Sequence, residues 1–247
     1  MMLGARTAAW AKAGGWINPY VTNGLVAMWD GEGSVLEGNS VYDVVHGLRA
    51  YTTYYRPNHN HQYDVFEKTE NYINIRNLCL EIEKPDIIGN AIDGDSFTFE
   101  FVMCSHVESD EYGHRSYWLR PMNDIWNNGG YWYYQGWKKT ERLSPPYNSG
   151  CDTDGVHKYY GSFANDPNGA VYRYMKESVG SMKSSTFAAL PSTSAFTGTL
   201  LLVGTDYLYR NFSANMKVYN ARVYNRGLSD EEVAANYAID KARFNLP

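Results

Sequence analysis

The densest set of side chains suited to ligand binding is aromatic and lies between residues 117 and 137, in the segment YWLRPMNDIWNNGGYWYYQGW. Flat amphipathic rings with Asn, Gln and Arg nearby suit sugars, because sugar C–H faces stack on rings while sugar hydroxyl groups find polar partners. The same residue types anchor protein interfaces. Three roles stay open: a glycan platform, a subunit contact, or packing inside the fold. The candidate contact residues are Tyr117, Trp118, Trp126, Tyr131, Trp132, Tyr133, Tyr134 and Trp137.

Carboxylates suited to catalysis are weakly represented. Glycoside hydrolases use two carboxyl groups that face one cleft, roughly 5 Å apart in retaining enzymes. The local candidate is Glu108-Ser109-Asp110-Glu111, in which Glu108 and Asp110 would share a face while Glu111 points away. Tyr112 stands where a third alternating carboxylate would lie. A solvated loop is the favoured interpretation, so we assign no catalytic residue and expect a protein that is not an enzyme.

Metal ligation is also weakly indicated. His59 and His61 could offer two imidazoles from one side of an extended chain, but Asp64 is the one acidic partner close in sequence. Zinc sites need more ligands than this, and a solvated loop is favoured. Loop-like aspartates occur without the dense oxygen-ligand run of an EF-hand: Asp124, Asp152, Asp154 and Asp166. We assign no metal ligand and no cofactor.

The elements that must position these side chains are predicted to be short strands. The chain contains 22 Tyr, 7 Trp and 9 Phe, which favour strands, and 22 Gly and 9 Pro, which supply turns. Asn127-Asn128-Gly129-Gly130 is typical of a hairpin turn inside the aromatic segment. At 247 residues, one all-β sandwich with long loops is expected.

The closing segment predicts two strands and a helix. Leu200–Gly204 is an apolar run typical of a buried strand. Residues 216–224 alternate, which predicts one face with Met216, Val218, Asn220, Arg222 and Tyr224. A helix is expected next, because Ser229 and Glu232 have the spacing of a capping box and Leu228 can pack against Val233.

Several of these segments resemble laminin-G-like domains. The closing phrase VYNARVYNRGLSDEEVAANY is similar to the last strand and helix of such domains. Gly24–Asp30, Phe97–Met103 and the paired runs 155–160 and 170–174 resemble their other strands. The resemblance implies a two-sheet antiparallel jelly-roll sandwich of the concanavalin A-like type, with a short C-terminal helix. It also allows a structural calcium ion.

Two positions depart from the laminin-G-like pattern. Gly227 replaces an alanine that is usual in the closing phrase, and residues 43–47 read Asp-Val-Val-His-Gly where an Asp-Ser-Gly-Asn type of loop is common. These departures leave the predicted fold unchanged. They remove support for any ligand specificity that such a loop would carry.

Residues 1–18 are predicted to be an anchoring extension, with residues 19–247 forming the jelly-roll domain. The leader has no apolar core typical of a signal peptide, and the chain has no apolar stretch long enough to span a membrane. A short segment of this composition has little tendency to fold alone, so docking on another subunit is preferred over packing on its own domain. The anchoring candidates are Arg6, Trp10 and Lys12.

The two ends of the chain together resemble laminin-G-like proteins encoded by phages and prophages of gut Bacteroidales. The segments concerned are LGARTAAWAKAGG, GLVAMWDGEG and NYAIDKARFNL. The resemblance implies a non-enzymatic virion protein, a fibre, decoration or adhesin component assembled in the host cytoplasm. Its expected partners are other virion proteins, further copies of itself, and a surface polysaccharide or mucin glycan. A net charge of -5 argues against nucleic-acid binding. The alternative is a secreted or surface carbohydrate-active, glucanase-like, or carbohydrate-binding protein of a gut bacterium.

Overall fold

The computed structural model describes residues 17–53, 65–76, 78–83, 88, 96–107, 116–122, 158–176, 180–187, 199–205 and 214–247. In this part of the chain, strands follow one another until a helix closes the sequence. The elements are β1 (Leu25–Asp30), β2 (Val35–Glu37), β3 (Ser40–Tyr42), β4 (Arg49–Thr53), β5 (Val65–Lys68), β6 (Ile73–Arg76), β7 (Cys79–Ile82), β8 (Phe97–Val107), β9 (Ser116–Met122), β10 (Tyr159–Asp166), β11 (Gly169–Lys176), β12 (Lys183–Phe187), β13 (Thr199–Thr205), β14 (Ala214–Tyr224) and α1 (Asp230–Phe244).

The strands form two antiparallel sheets. Sheet A has eight strands in the order β12-β11-β10-β8-β14-β6-β5, with β1 also paired to β14. Sheet B has six strands in the order β2-β3-β4-β7-β13-β9. Strand β14 organises sheet A, because β8 pairs along its length while β6 and β1 pair with its first and second halves. Strand β14, near the end of the sequence, therefore joins β1, β6 and β8, which lie far from it along the chain.

The core lies between the two sheets. One continuous apolar cluster contains side chains from both inner faces, which makes the molecule a sandwich and confirms the predicted all-β, two-sheet antiparallel class. Representative members are Val41, Ala50, Leu80 and Ile82 from sheet B with Trp29, Ile73, Phe99 and Val223 from sheet A. A second cluster lies on the other face of sheet A, under helix α1, and includes Val102, Tyr160, Tyr224, Val233 and Phe244.

The predicted alternation of β14 is wrong in its second half. Met216 and Val218 face the inter-sheet core as expected, but the register with β8 shifts between Val218 and Asn220. This β-bulge places an extra residue, Tyr219, in the strand and reverses the faces beyond it. The core residues after the bulge are Ala221 and Val223, whereas Asn220, Arg222 and Tyr224 face helix α1.

The predicted start of the C-terminal helix is confirmed. Ser229 is the N-cap and accepts a hydrogen bond from the Glu232 backbone N–H, while the Glu232 side chain accepts one from the Ser229 backbone N–H. Leu228 and Val233 lie in the same buried cluster, as the staple requires. Asn245 ends the helix in the left-handed conformation. Local sequence alone therefore fixes where this helix begins.

Other strand predictions are also confirmed. Strand β13 lies where the apolar run indicated, and β1 and β8 lie in the segments that resemble laminin-G-like strands. Strand β11 covers the predicted run 170–174 and forms a hairpin with β10, which spans Tyr159–Asp166 and so extends beyond the predicted run 155–160. In its turn, the Asn168 backbone N–H donates to the Asp166 carboxylate at 2.7 Å. Residues 1–16, which contain Arg6, Trp10 and Lys12, lie outside the described residues. The anchoring extension therefore stays a prediction.

Candidate functional site

Two of the predicted aromatic contact residues are placed by the structure, and both lie in sheet B. The backbone of Tyr117 pairs with Gly204, and the backbone of Trp118 pairs with Val203. Strand β9 is the last strand of sheet B among those described, so the aromatic segment continues from the end of this sheet. The other candidates lie outside the described residues: Trp126, Tyr131, Trp132, Tyr133, Tyr134 and Trp137.

A polar and aromatic surface occupies the outer face of sheet B at its β3–β4–β7 end. Its position follows from alternation: Ala50 in β4 and Leu80 and Ile82 in β7 are buried in the core, so their neighbours face outward. We call this surface the Tyr51 platform and define it by Tyr42, Arg49, Tyr51, Glu81 and Glu83.

Strand register brings the platform residues together in two adjacent rows. The first row runs across the sheet from Ser40 through Tyr51 to Glu81 and continues to Leu201 and Arg120. In the second row Arg49 pairs with Tyr42, and its carbonyl accepts the Glu83 backbone N–H at 2.9 Å. Because adjacent strands lie about 4.8 Å apart, these side chains can contact one sugar-sized ligand.

The Arg49 guanidinium connects the platform. Its Cζ lies 5.2 Å from the Tyr51 ring centroid, a cation–π distance. Its Nε donates to the Ser40 hydroxyl at 2.8 Å, and its Nη1 lies 3.5 Å from Glu83 Oε1. The side chains of Arg49 and Glu83 are 34% and 48% exposed, so the stack faces solvent. The surface is thus flat, amphipathic and held in place by a regular sheet.

The Tyr51 hydroxyl donates to the Glu81 carboxylate. Burial and this neighbouring carboxylate raise the Tyr51 pKa, so the phenol stays protonated at neutral pH. Glu81, Glu83 and Arg49 together carry one net negative charge. The platform therefore offers two carboxylate acceptors along the β7 side of the Arg–Tyr stack, where they can pair with hydroxyl groups of a ligand.

A second polar cluster lies on sheet A, and helix α1 closes it. Glu100 of β8 and Arg222 of β14 are cross-strand partners, with Arg222 Nε 3.1 Å from Glu100 Oε2. Two further Arg222 nitrogens donate to both carboxylate oxygens of Asp240 in helix α1, at 3.1 and 2.6 Å. All three side chains have 0% exposure. Arg222 therefore links two strands to the helix through one guanidinium.

The remaining acceptor positions of this cluster are filled by tyrosine and asparagine. Tyr160 and Asn236 both donate to Glu100 at 2.6 Å. Tyr20 donates to Asp240 at 2.7 Å, and its ring centroid lies 4.0 Å from the Arg222 Cζ. Tyr20 thereby ties the segment before β1 to the helix.

Electrostatics in this cluster are dominated by burial. Burial raises the pKa of Glu100, while the Arg222 charge and the Tyr160 hydrogen bond act in the opposite direction. For Arg222, burial alone would lower the pKa, but the Asp240 and Glu100 carboxylates raise it well above its ordinary value. The groups are paired with one another and shielded from solvent. Their arrangement stabilises the fold and leaves no approach for a substrate.

With this geometry in place, the chain was compared with known proteins. No protein-family model matches it, and no relative was found among curated proteins. Solved structures with a similar fold include Trypanosoma rangeli sialidase with 2,3-difluorosialic acid as a covalent intermediate, with a TM-score of 0.57 and 12% identity over 98% of this chain. The same sialidase with sialic acid gives a TM-score of 0.55 at 12% identity over 98% of this chain. The chain covers 38% of each of these sialidase chains. At this identity the similarity shows the fold alone.

Sequence reasoning missed Glu81 and Glu83. The strand Cys79-Leu80-Glu81-Ile82-Glu83 alternates apolar and acidic residues, a signal as clear as that of Glu108 and Asp110, which lie outside the described residues. Arg49-Ala50-Tyr51 alternates in the same way. Each alternating pattern is visible in the sequence, but only the pairing of β4 with β7 shows that the two patterns are neighbours.

The remaining predicted positions concern metals and membranes. His59, His61, Asp124, Asp152 and Asp154 lie outside the described residues, and Asp166 is engaged in the β10–β11 turn. Within the described ranges, no cluster of three or more His, Cys, Asp or Glu side chains is placed to hold a metal ion. In the same part of the chain, no helix has the length and apolar character needed to cross a membrane.

Proposed function

We propose that this chain is a non-enzymatic glycan-binding module whose ligand site is the Tyr51 platform. The observation that carries the proposal is the stack of Arg49 on Tyr51, flanked by Glu81 and Glu83 on the solvent-facing side of sheet B. A sugar ring would lie against this stack while the carboxylates accept hydrogen bonds from its hydroxyl groups and the guanidinium donates to its oxygens. The single net negative charge favours a neutral sugar over an acidic one.

Two further observations support a sugar ligand. Structures with a similar fold include a sialidase solved with sialic acid, an acidic sugar, so this similarity supports a sugar ligand in general and not the neutral preference of the platform. The predicted aromatic segment enters sheet B at Tyr117 and Trp118, in the same sheet as the platform.

The absence of catalysis is part of the proposal. In glycoside hydrolysis one carboxyl group must donate a proton to the leaving oxygen while the second attacks or activates water. Here Glu81 accepts a hydrogen bond from the Tyr51 hydroxyl and Glu83 is paired with Arg49, so each carboxylate already serves as an acceptor. The spacing of two carboxylates on one strand nevertheless makes a glucanase-like hydrolase the second candidate function.

Replacing Tyr51 with alanine should weaken glycan binding about tenfold or more, because a stacking ring at the centre of a contact carries much of its binding energy. The measurement is binding of biotinylated, streptavidin-tetramerised protein to arrayed neutral and acidic glycans. Tyr51→Phe keeps the ring and should lose less glycan affinity than Tyr51→Ala. Glu81→Gln and Glu83→Gln should weaken binding, whereas Glu67→Gln, an exposed carboxylate on sheet A, should not.

The same preparations decide between the two candidate functions. Release of reducing ends from a polysaccharide that binds, abolished by Glu81→Gln or Glu83→Gln, would establish the hydrolase instead. Equal binding by wild-type and Tyr51→Ala protein would place the glycan site elsewhere. Multivalent display is needed for the binding comparisons, since a single flat platform binds weakly and many copies raise avidity.

We further propose that the module is a laminin-G-like virion component of a phage, present in many copies, with its leader docked on neighbouring subunits. The resemblance of the two chain ends supports this placement. Mass spectrometry of gradient-purified particles should then find the chain at structural-protein abundance. Its recovery only in the soluble host fraction would contradict the virion placement and leave the glycan proposal standing.

A further inference from the structure

The outer face of sheet A carries a second exposed surface, beyond the C-terminal end of helix α1. The border is formed by Phe244, the last helical residue, whose ring lies 5.3 Å from that of Tyr219. We call the surface past this border the lysine face and define it by Tyr72, Lys158, Lys217 and Tyr219. Tyr72 and both lysines are partly exposed.

Strand register sets the distance between the two lysines. Lys217 of β14 pairs with Cys104 of β8, and Lys158 immediately precedes Tyr159, which pairs with Met103. The lysines therefore stand on either side of β8 in one cross-strand row. Two interstrand spacings separate their Cα atoms by about 10 Å.

Aromatic rings hold the lysine ammonium groups over the sheet. Lys217 Nζ lies 5.6 Å from the Tyr72 ring centroid, and Lys158 Nζ lies 5.7 Å from the Tyr219 ring centroid. The two rings contact each other, with centroids 5.3 Å apart and planes inclined by 59°. Such cation–π contacts restrict flexible side chains. The surface thus presents two lysine ammonium groups and the partly exposed Tyr72 ring, with the buried Tyr219 ring beneath them.

The lysine face and the Tyr51 platform differ in the sign of their charge. The row extends from Lys217 through Asn74 to Glu67, and Arg76 lies two residues from Asn74 in β6. The four residues that define the lysine face include two cations and no carboxylate. The chain as a whole has a net charge of -5, so this positive region is set against an acidic background.

We propose that the lysine face binds an anionic glycan, a sugar chain bearing carboxylate or sulfate groups, at a site separate from the Tyr51 platform. The Cα atoms of the two lysines stand about 10 Å apart, so an anionic chain can meet a cation at two places, and the adjacent Tyr72 ring offers a surface for a sugar ring. The module then has two proposed glycan sites on different sheets, one for a neutral sugar and one for an anionic sugar chain. This site does not depend on the platform being correct.

The test measures binding of the full chain to a carboxylated polysaccharide, polygalacturonate, at low and high salt. Lys158→Gln and Lys217→Gln should each weaken binding about three- to fivefold, in line with about 1 kcal/mol for a partly exposed ion pair. The double variant should weaken it tenfold or more. Lys183→Gln removes the same charge from the exposed β12 strand and should bind like the wild type. Salt should weaken wild-type binding by screening.

Three results would overturn the proposal. The first is no binding by the wild type at low salt, and the second is equal loss in Lys183→Gln and Lys217→Gln. The third is equally tight binding of single-stranded oligothymidylate, which would make the surface a general polyanion site. Tyr51→Ala protein should keep its full affinity for polygalacturonate. That result separates failure of this site from failure of the platform.

Discussion

Replacing Arg222 with methionine should lower the free energy of unfolding by about 3–5 kcal/mol, because it leaves two buried carboxylates without their cation. The guanidinium contacts Glu100 at 3.1 Å and Asp240 at 2.6 Å, and none of the three side chains is exposed. Methionine fills similar space but offers no donor. Denaturant unfolding followed by tryptophan fluorescence measures the loss as a lower midpoint.

The matched control is Arg49→Met on the opposite sheet. Arg49 also pairs with a glutamate across strands, but its side chain is 34% exposed and that of Glu83 is 48% exposed. Solvated pairs of this kind contribute up to about 1 kcal/mol, so Arg49→Met should unfold close to the wild type. Arg222→Lys keeps the charge without the bidentate geometry, so its unfolding midpoint should lie between those of the wild type and Arg222→Met. Equal midpoints for Arg222→Met and Arg49→Met would refute the role given to the buried cluster.

Much of the fold was predictable from the sequence because its signals are local. The apolar run Leu200–Gly204 located β13, and the resemblance of short segments to laminin-G-like strands located β8 and the second strand of the β10–β11 hairpin. The Ser229 and Glu232 pair located the start of helix α1, since capping depends on residues three apart. Each of these features is fixed by neighbours along the chain.

The β14 bulge and the buried ion cluster were not predictable in the same way. Glu100 lies between Phe99 and Phe101 and has the position of an outward, solvated residue in an alternating strand. It is buried because helix α1, more than a hundred residues later, covers that face of sheet A. Local pattern shows that a residue faces outward, but not whether another element covers that side.

The candidate site shows the same limit. The alternating patterns at Arg49–Tyr51 and at Leu80–Glu83 were readable separately, and neither indicates a ligand surface alone. Pairing of β4 with β7 makes them one platform. The aromatic segment, by contrast, stood out in composition but depends on positions beyond the described strands for its role. Composition suggested a class of ligand to test, and strand pairing brings the residues of the proposed platform together.

Replacing Gly31 with alanine should destabilise the fold by about 3 kcal/mol, at the upper end for overpacking a rigid site. A Cβ atom at Gly31 would lie 2.2 Å from the Asn71 carbonyl oxygen and 2.5 Å from the Tyr72 nitrogen, both backbone atoms. Asn71 and Tyr72 belong to the turn at residues 69–72, which is closed by a 2.9 Å hydrogen bond from the Thr69 backbone N–H to the Tyr72 carbonyl oxygen. The turn can move away from the new Cβ atom only by distorting this hydrogen bond.

Gly227→Ala is the control for the Gly31 substitution, and the two should move stability in opposite directions. The nearest atoms to a Cβ at Gly227 are 3.7 Å away, in ordinary contact, so the alanine usual in laminin-G-like domains fits there. It should stabilise the protein by about 0.4–1 kcal/mol by restricting the unfolded chain. Because Tyr72 adjoins the clash, Gly31→Ala should also displace its ring and weaken polygalacturonate binding at the lysine face. Thermal and denaturant unfolding of both variants measure the stability changes. A Gly31→Ala protein as stable as Gly227→Ala would show that the turn at residues 69–72 can shift without loss of stability.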